Sequence, residues 1–286
     1  MRRMAPGVCG AAAMLVLTAC GSGLSGEPPT HGTALRAALP DNIRSAGVLK
    51  IGGSSTVAPY LYYKGGGSVG VEKDLMDALS RVLGVRIHLA DIGFAGLVPA
   101  LQSKRIDVAM GDFTDNAERQ QSVDFVDYTT SYSMMLVADG NPKGLERRSD
   151  LCGSSVSATV GSVTEQLSDQ QDKACRAAGK KGVRVLRMDN NAATWTQVHT
   201  GRADAMLIDY LIGKYVADQG QGDLVGTAFH PQFHGAAVRK GDTVLRKALA
   251  AGFRQLMRDG TYNKILKKWK AARLAMSQPI TNASTS

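Results

Sequence analysis

Cysteine is scarce in this chain, four residues in 286, and no Cys-x-x-Cys pair occurs. His199, His230 and His234 stand at no ligand-like spacing to the cysteines, so no metal centre is expected. His-Glu-x-x-His and phosphate-loop patterns are absent, which argues against zinc proteases and phosphate-loop nucleotide hydrolases. No apolar run reaches the roughly 20 residues that a membrane-spanning helix needs. No internal repeat is evident, and outside the N-terminal region there is no low-complexity tract. The expectation is a protein with no cofactor and no catalytic residue.

The N-terminus carries the most specific local signal. Met1-Arg2-Arg3 supplies positive charge, a short apolar run follows from Ala11 to Leu17, and Leu17-Thr18-Ala19-Cys20 brings small residues to a cut. That order describes a secretory signal. Its last residues resemble a bacterial lipobox, which implies lipidation of Cys20 and an extracytoplasmic chain anchored to the cell membrane. Gly21 to about Pro40 is rich in Gly, Ser, Pro and Thr and reads as a flexible tether. Cys9 leaves with the signal, so Cys152 and Cys175 remain as an even pair in an oxidising compartment. A disulfide there closes a loop of about 22 residues, worth roughly 3 kcal/mol.

The formal net charge is +9, and removing Arg2 and Arg3 with the signal leaves +7. Part of the excess lies in Lys264, Lys267, Lys268, Lys270 and Arg273. Such a run suits nucleic acid or anionic lipid. Ile265, Leu266 and Trp269 are spaced for burial between the lysines, which reads instead as the solvated face of an amphipathic helix. No nucleic-acid partner is expected, and the chain is expected to be a monomer.

Between the ends, short β-branched runs alternate with helical periodicity. Strands are predicted at Val48–Ile51, Val85–Leu89 and Ile106–Met110, with helices at Glu72–Leu83 and Leu97–Ser103. After an apolar run at Tyr132–Val137 the pattern restarts: strands at Val156–Val160, Val183–Arg187 and Ala203–Ile208, helices at Ser162–Ala177, Asn191–His199 and on through Tyr215. Val244–Met257 and Tyr262–Ala272 are helical. Two such series predict an α/β chain with parallel sheets, folded as two lobes around a cleft.

In order along the chain stand Gly47-Val48-Leu49-Lys50-Ile51-Gly52, Ala58-Pro59-Tyr60, Gly70-Val71-Glu72-Lys73-Asp74-Leu75, Leu97-Val98-Pro99-Ala100-Leu101 and Arg105-Ile106-Asp107. Further on come Ala117-Glu118-Arg119, Val123-Asp124-Phe125, Val160-Gly161-Ser162, Ala203-Asp204-Ala205 with Asp209, and Asp259-Gly260-Thr261-Tyr262. From Val48 to Lys270 the chain resembles the polar amino-acid-binding proteins of ABC transporters, extracellular solute-binding proteins of family 3. The resemblance implies a two-lobed periplasmic-binding fold of type II with crossovers near Val137 and Ala236. It places signal at 1–19, tether at 20–40, the first lobe at 41–136 plus 237–277, the second at 137–236, and a disordered tail at 278–286. The partners implied are an amino-acid-like solute and an ABC permease.

The resemblance also assigns the site. Arg119 matches the family's carboxylate-binding arginine, a planar bidentate cation suited to that group. Thr114 adds a hydroxyl and a backbone N–H. Gly161-Ser162-Val163 resembles a turn whose backbone N–H groups meet the same carboxylate, at a helix start that favours an anion. Asp209, at the carboxyl end of an apolar strand, matches the ammonium-binding acid. Phe94 matches an aromatic that covers the ligand side chain. Three positions depart from the pattern: Val57 where an aromatic is usual, Asp112 where Ser is common and Asn116 where Thr is common. Tyr60, Tyr62 or Tyr63 is then a candidate for the missing wall. Asp112, if it faces the cleft, adds a second carboxylate and favours a solute with an extra cationic group. Two alternatives stay open: a ligand-sensing subunit, and a dehydratase-like enzyme using Asp112, Glu118 or Asp209 for acid–base work.

Overall fold

The computed structural model describes residues 33–284. The expected signal sequence, Cys20 and the first part of the expected tether lie outside the described residues. Residues 35–40, expected as tether, already belong to the folded body. Leu35 and Leu39 lie four residues apart and pack into the first-lobe core, beside the helices Val71–Leu83 and Thr243–Arg258.

Two long antiparallel strands, Val123–Ala138 and Gly222–Arg239, form the middle of the main sheet. Beyond the first lie the mutually parallel strands Ala205–Asp209, Ser155–Thr159 and Arg184–Met188. Beyond the second lie Val108–Ala109, Val48–Gly53 and Arg86–Asp91, also parallel. One parallel set serves each lobe, and the long pair runs through both. The chain leaves first-lobe pairing after Thr130, which faces Phe233, and is in second-lobe pairing by Ser133, which faces Asp209. Register breaks between Val225 and Pro231, and again at His234/Gly235, bend the return strand over the same stretch. Val137 and Ala236, expected at the crossovers, sit instead in regular ladder opposite Ala205 and Val126. The strand changes neighbours within its polar stretch Thr129–Ser133, between two apolar ends.

The helices follow the apolar stripes. In Val71–Leu83 the residues Leu75, Leu79 and Leu83 are buried, and Gly84 ends the helix at φ +63 with its N–H on Ser80 O. Thr243–Arg258 lies against it through Leu245, Leu249, Phe253 and Leu256. Gly252 permits that approach, since a Cβ there would stand 3.0 Å from Leu79 Cδ2. Thr261–Lys268 buries Tyr262 and Leu266 and turns its lysines to solvent, as its amphipathic spacing predicts.

Three further features differ from the sequence expectation. Thr56–Val57, Leu61–Lys64 and Gly67–Val69 form a small separate antiparallel sheet. Only Val108–Ala109 of the apolar run Ile106–Met110 joins the ladder. The segment from 278, expected as a disordered tail, continues the strand Ala275–Thr281, which pairs with Val123–Ala138. Its anchors are polar rather than apolar: Ala283 N donates to Asp127 Oδ2 at 2.9 Å, and Phe125 N donates to Asn282 Oδ1 at 2.7 Å. A hydrophobic pattern cannot reveal such a strand. Cys152 and Cys175 lie together with Cα atoms 5.4 Å apart, joining the segment before Ser155–Thr159 to the end of Val163–Ala177. Among the described residues no helix is long and apolar enough to cross a membrane.

Candidate functional site

A cleft between the lobes, with about 540 Å³ of empty volume including its mouth, is lined by Phe94, Asp112 and Thr114 on one side and Ser162, Val163 and Asp209 on the other. Val57 also lines it, so the position where relatives carry an aromatic is present but small. None of the three tyrosines proposed as a substitute belongs to the lining. Tyr60 is buried and bonded to Asp209, Tyr62 packs on Tyr215 and Trp269, and Tyr63 is exposed.

Each acid is held by the end of an element. Asp209 closes the strand Ala205–Asp209 and caps the helix Tyr210–Ala217, accepting from Leu211 N at 2.9 Å. Its carboxylate also accepts from Tyr60 Oη at 2.9 Å, from Gln232 Nε2 at 3.3 Å and from the Ser131 hydroxyl. Four donors converge on one buried carboxylate. Asp112 follows Val108–Ala109 in a left-handed backbone conformation, φ +59. Burial, then the neighbouring Asp209 and Glu72, raise it well above the usual carboxylate range, while Arg119 opposes the rise.

Arg119 sits beside the lining rather than in it. Asn116 caps its short helix by accepting from Arg119 N at 2.8 Å. The guanidinium donates to Thr114 O at 2.6 Å and, across the cleft, to Gly161 O at 2.9 Å. It lies over the Phe113 ring at 4.5 Å and the Phe94 ring at 5.2 Å. Burial lowers its pKa to about 10, against the pull of Asp112, Glu118 and Asp115. Gln166 Nε2 also reaches Glu118 Oε2 at 2.7 Å, so the lobes stand closed on each other.

The turn Gly161-Ser162-Val163 opens the helix Val163–Ala177, and the Ser162 hydroxyl accepts from Glu165 N at 3.1 Å. Two of the backbone donors assigned to a ligand are already engaged: Gly161 N donates to Glu165 Oε2 at 2.7 Å and Ser162 N to Thr159 O at 3.1 Å. The first helical turn leaves Val163 and Thr164 N–H without intrahelical acceptors.

Ser131 and Gln232 escaped the sequence reading, Tyr60 entered it only as a candidate pocket wall, and His234 only as a residue without ligand-like spacing. They come from distant segments, and no local motif ties them to the acids. His234 is fully buried, with Nδ1 3.3 Å from Asp112 Oδ1 and Nε2 3.6 Å from Asp209 Oδ2. Asp112, Asp209 and His234 thus gather ligand-type atoms within 4.8 Å of one another, although their sequence spacing gave no sign of a cluster.

The comparisons fit this architecture. The family model of bacterial extracellular solute-binding proteins, family 3, matches residues 49–272. The L-cystine-binding protein TcyJ of Escherichia coli strain K12 is 30% identical over 238 residues, covering 82% of this chain and 86% of that protein. An ancestral amino-acid-binding protein, described as a precursor of cyclohexadienyl dehydratase, superposes with TM-score 0.73 at 30% identity, over 80% of this chain and 98% of that one. An ancestral arginine-binding protein bound to arginine gives TM-score 0.71 at 32% identity, over 78% and 98%. With a two-lobed α/β fold, a polar cleft between the lobes and a family match over most of its length, this chain belongs to the bacterial extracellular solute-binding proteins, family 3.

Proposed function

We propose that the protein captures an amino acid or related amine bearing an extra cationic group and delivers it to an ABC permease. The observation that carries this reading is that two carboxylates, the buried Asp209 and the half-buried Asp112, line one cleft. Asp209, with its four donors, is suited to meet an α-ammonium. Arg119, with Val163 and Thr164 N–H, is suited to an α-carboxylate once the lobes reopen around ligand. Thr114 and Ser162 add polar contacts, and Phe94 covers the side chain. Asp112 is then left for a second positive group. Hinge motion about the paired long strands opens and closes the site.

A thermal-shift panel tests the ligand class, because a ligand that binds the native state raises the midpoint. Arginine, lysine and ornithine are expected to give larger shifts than glutamine, leucine or glutamate. Larger shifts with acidic or aliphatic amino acids would sink the cationic reading.

The enzyme alternative draws on the dehydratase-precursor relative. The run Gly66-Gly67-Ser68-Val69-Gly70 has the spacing of a hydrolase nucleophile turn, but Ser68 lies within a hairpin ladder opposite Tyr63 rather than at the turn. Recovery of bound solute unchanged after long incubation separates binding from turnover. The further expectations are a lipid on Cys20, a monomer, and a disulfide between Cys152 and Cys175. Intact mass of membrane-extracted protein should show an acylated N-terminal cysteine, and Cys20→Ser should release the chain from membranes.

A further inference from the structure

His234 is fully buried on the long strand Gly222–Arg239, and neither of its ring nitrogens has a hydrogen-bond partner. Nδ1 faces Asp112 at 3.3 Å and Nε2 faces Asp209 at 3.6 Å, so the ring stands between the two carboxylates that line the cleft. A neutral imidazole has one N–H and one lone pair. Between two ionised acids it must present the lone pair to one of them, which leaves that contact repulsive and a buried oxygen without a donor. Asp112 Oδ1 is such an oxygen. One added proton removes the conflict in either of two placements. An imidazolium donates to both acids, or a protonated Asp112 donates to Nδ1 while Nε2–H donates to Asp209. Both placements carry the same net charge, so the proton belongs to the cluster rather than to one residue.

The surroundings bear on that proton from several elements. Glu72, from the helix Val71–Leu83, favours protonation of Asp112, and Arg119 opposes it at both Asp112 and His234. The Tyr60 ring meets His234 edge-on at 5.6 Å. Asp127 and Asp115 flank the strand positions on either side, beside Gly235 and opposite Phe233. Burial of the ring disfavours its charged form. One atom from each of the three residues lies within 4.8 Å of the others, but an ion on one ring nitrogen leaves the other nitrogen without a partner. A proton network can serve both sides.

We propose that Asp112, His234 and Asp209 share one proton as an internal counter-cation behind the cleft, and that a ligand bringing a second positive group displaces it. This rests on the cationic-ligand reading above. The exchange balances: the protonated site and the cationic ligand give the complex plus one proton, which passes to solvent. A neutral amino acid brings no second cation and leaves the proton in place.

The test is calorimetry of the mature chain with L-arginine and with L-glutamine, each in two buffers of unequal ionisation enthalpy, from pH 6 to 8. Arginine binding is expected to release about one proton, with affinity rising up to tenfold per pH unit, while glutamine binding releases none. His234→Gln, which cannot hold the proton on the ring, is expected to move the midpoint of the arginine profile by at least about one pH unit. Tight arginine binding without proton release overturns the exchange and leaves the ligand class standing. An unmoved profile in His234→Gln overturns the part assigned to the imidazole. Binding of glutamine but not arginine overturns the ligand class, and the exchange with it.

Discussion

Arg119 of the first lobe donates through Nη2 to the carbonyl of Gly161 in the second, at 2.9 Å. The same guanidinium is held from behind by Thr114 O and by the faces of Phe113 and Phe94. A cation fixed at the meeting point of two lobes can both latch them and receive an anionic ligand group. Carbonyl oxygens solvate a guanidinium without neutralising it, so its charge stays available.

Arg119→Ala is expected to lower ligand affinity by at least roughly a hundredfold, the loss typical when a buried charge loses its partner. Titration calorimetry measures it, and a midpoint of unfolding near wild type shows that the fold persists. Unchanged affinity would place the ligand carboxylate elsewhere.

Glu72 is buried and accepts from Tyr128 Oη at 2.6 Å, and burial raises its pKa to about 7. The folded chain therefore keeps this proton where the unfolded chain, with an ordinary value of 4.5, has lost it. Its contribution is full below that ordinary value and is lost as pH rises through about 7. Glu72→Gln cannot ionise. Measured by urea unfolding, its stability relative to wild type should improve by up to roughly 3 kcal/mol between pH 4 and pH 8. A difference that stays constant with pH would contradict this.

Cys152 and Cys175, 23 positions apart, are expected to be oxidised in protein from an extracytoplasmic compartment. Reduction, or replacement of both by Ser, should cost roughly 3 kcal/mol, chiefly by freeing the unfolded chain. Two alkylatable thiols in native protein would refute the bond.

The strand Ala275–Thr281 lies beyond the family match at 49–272, yet the chain continues from it onto the segment that carries Thr114 and Arg119. Ser284 N donates to Asp115 Oδ2 at 3.0 Å, and Gln120 Nε2 donates to Ser284 O at 2.9 Å. A chain ending at Leu274 is expected to lose at least about 4 kcal/mol, counting about 1 kcal/mol for each of the four hydrogen bonds named for Asn282, Ala283 and Ser284, and to bind ligand more weakly. Wild-type stability in the truncated chain would make the strand an ornament of the fold.

Much of the frame was legible because local chemistry and tertiary structure agree on it. The stripe Leu75, Leu79 and Leu83 gave the helix, Ser162 was placed at a helix start and Asp209 at a strand end, and each caps the helix that follows it. The ordered landmarks pointed to a cleft, and Phe94, Asp112, Thr114, Ser162, Val163 and Asp209 line one cleft. Arg119 was placed in the ligand's path, whereas in the closed structure it borders the lining and binds backbone carbonyls.

What the sequence by itself determined were features written in short periods: the alternation of strand and helix, the caps, the exposed lysine face and the order of the two series. What only the tertiary structure decided were meetings between residues far apart in the chain. Val123–Ala138 and Gly222–Arg239 are strands of both lobes because their neighbours change along their length, and which strands those neighbours are depends on distant segments. His234 is a buried imidazole between Asp112 and Asp209 because three separate segments converge where the lobes meet. Hydrophobic patterning specifies which face of an element turns inward. The charges that share that interior are set by packing, and with them the protonation of the site.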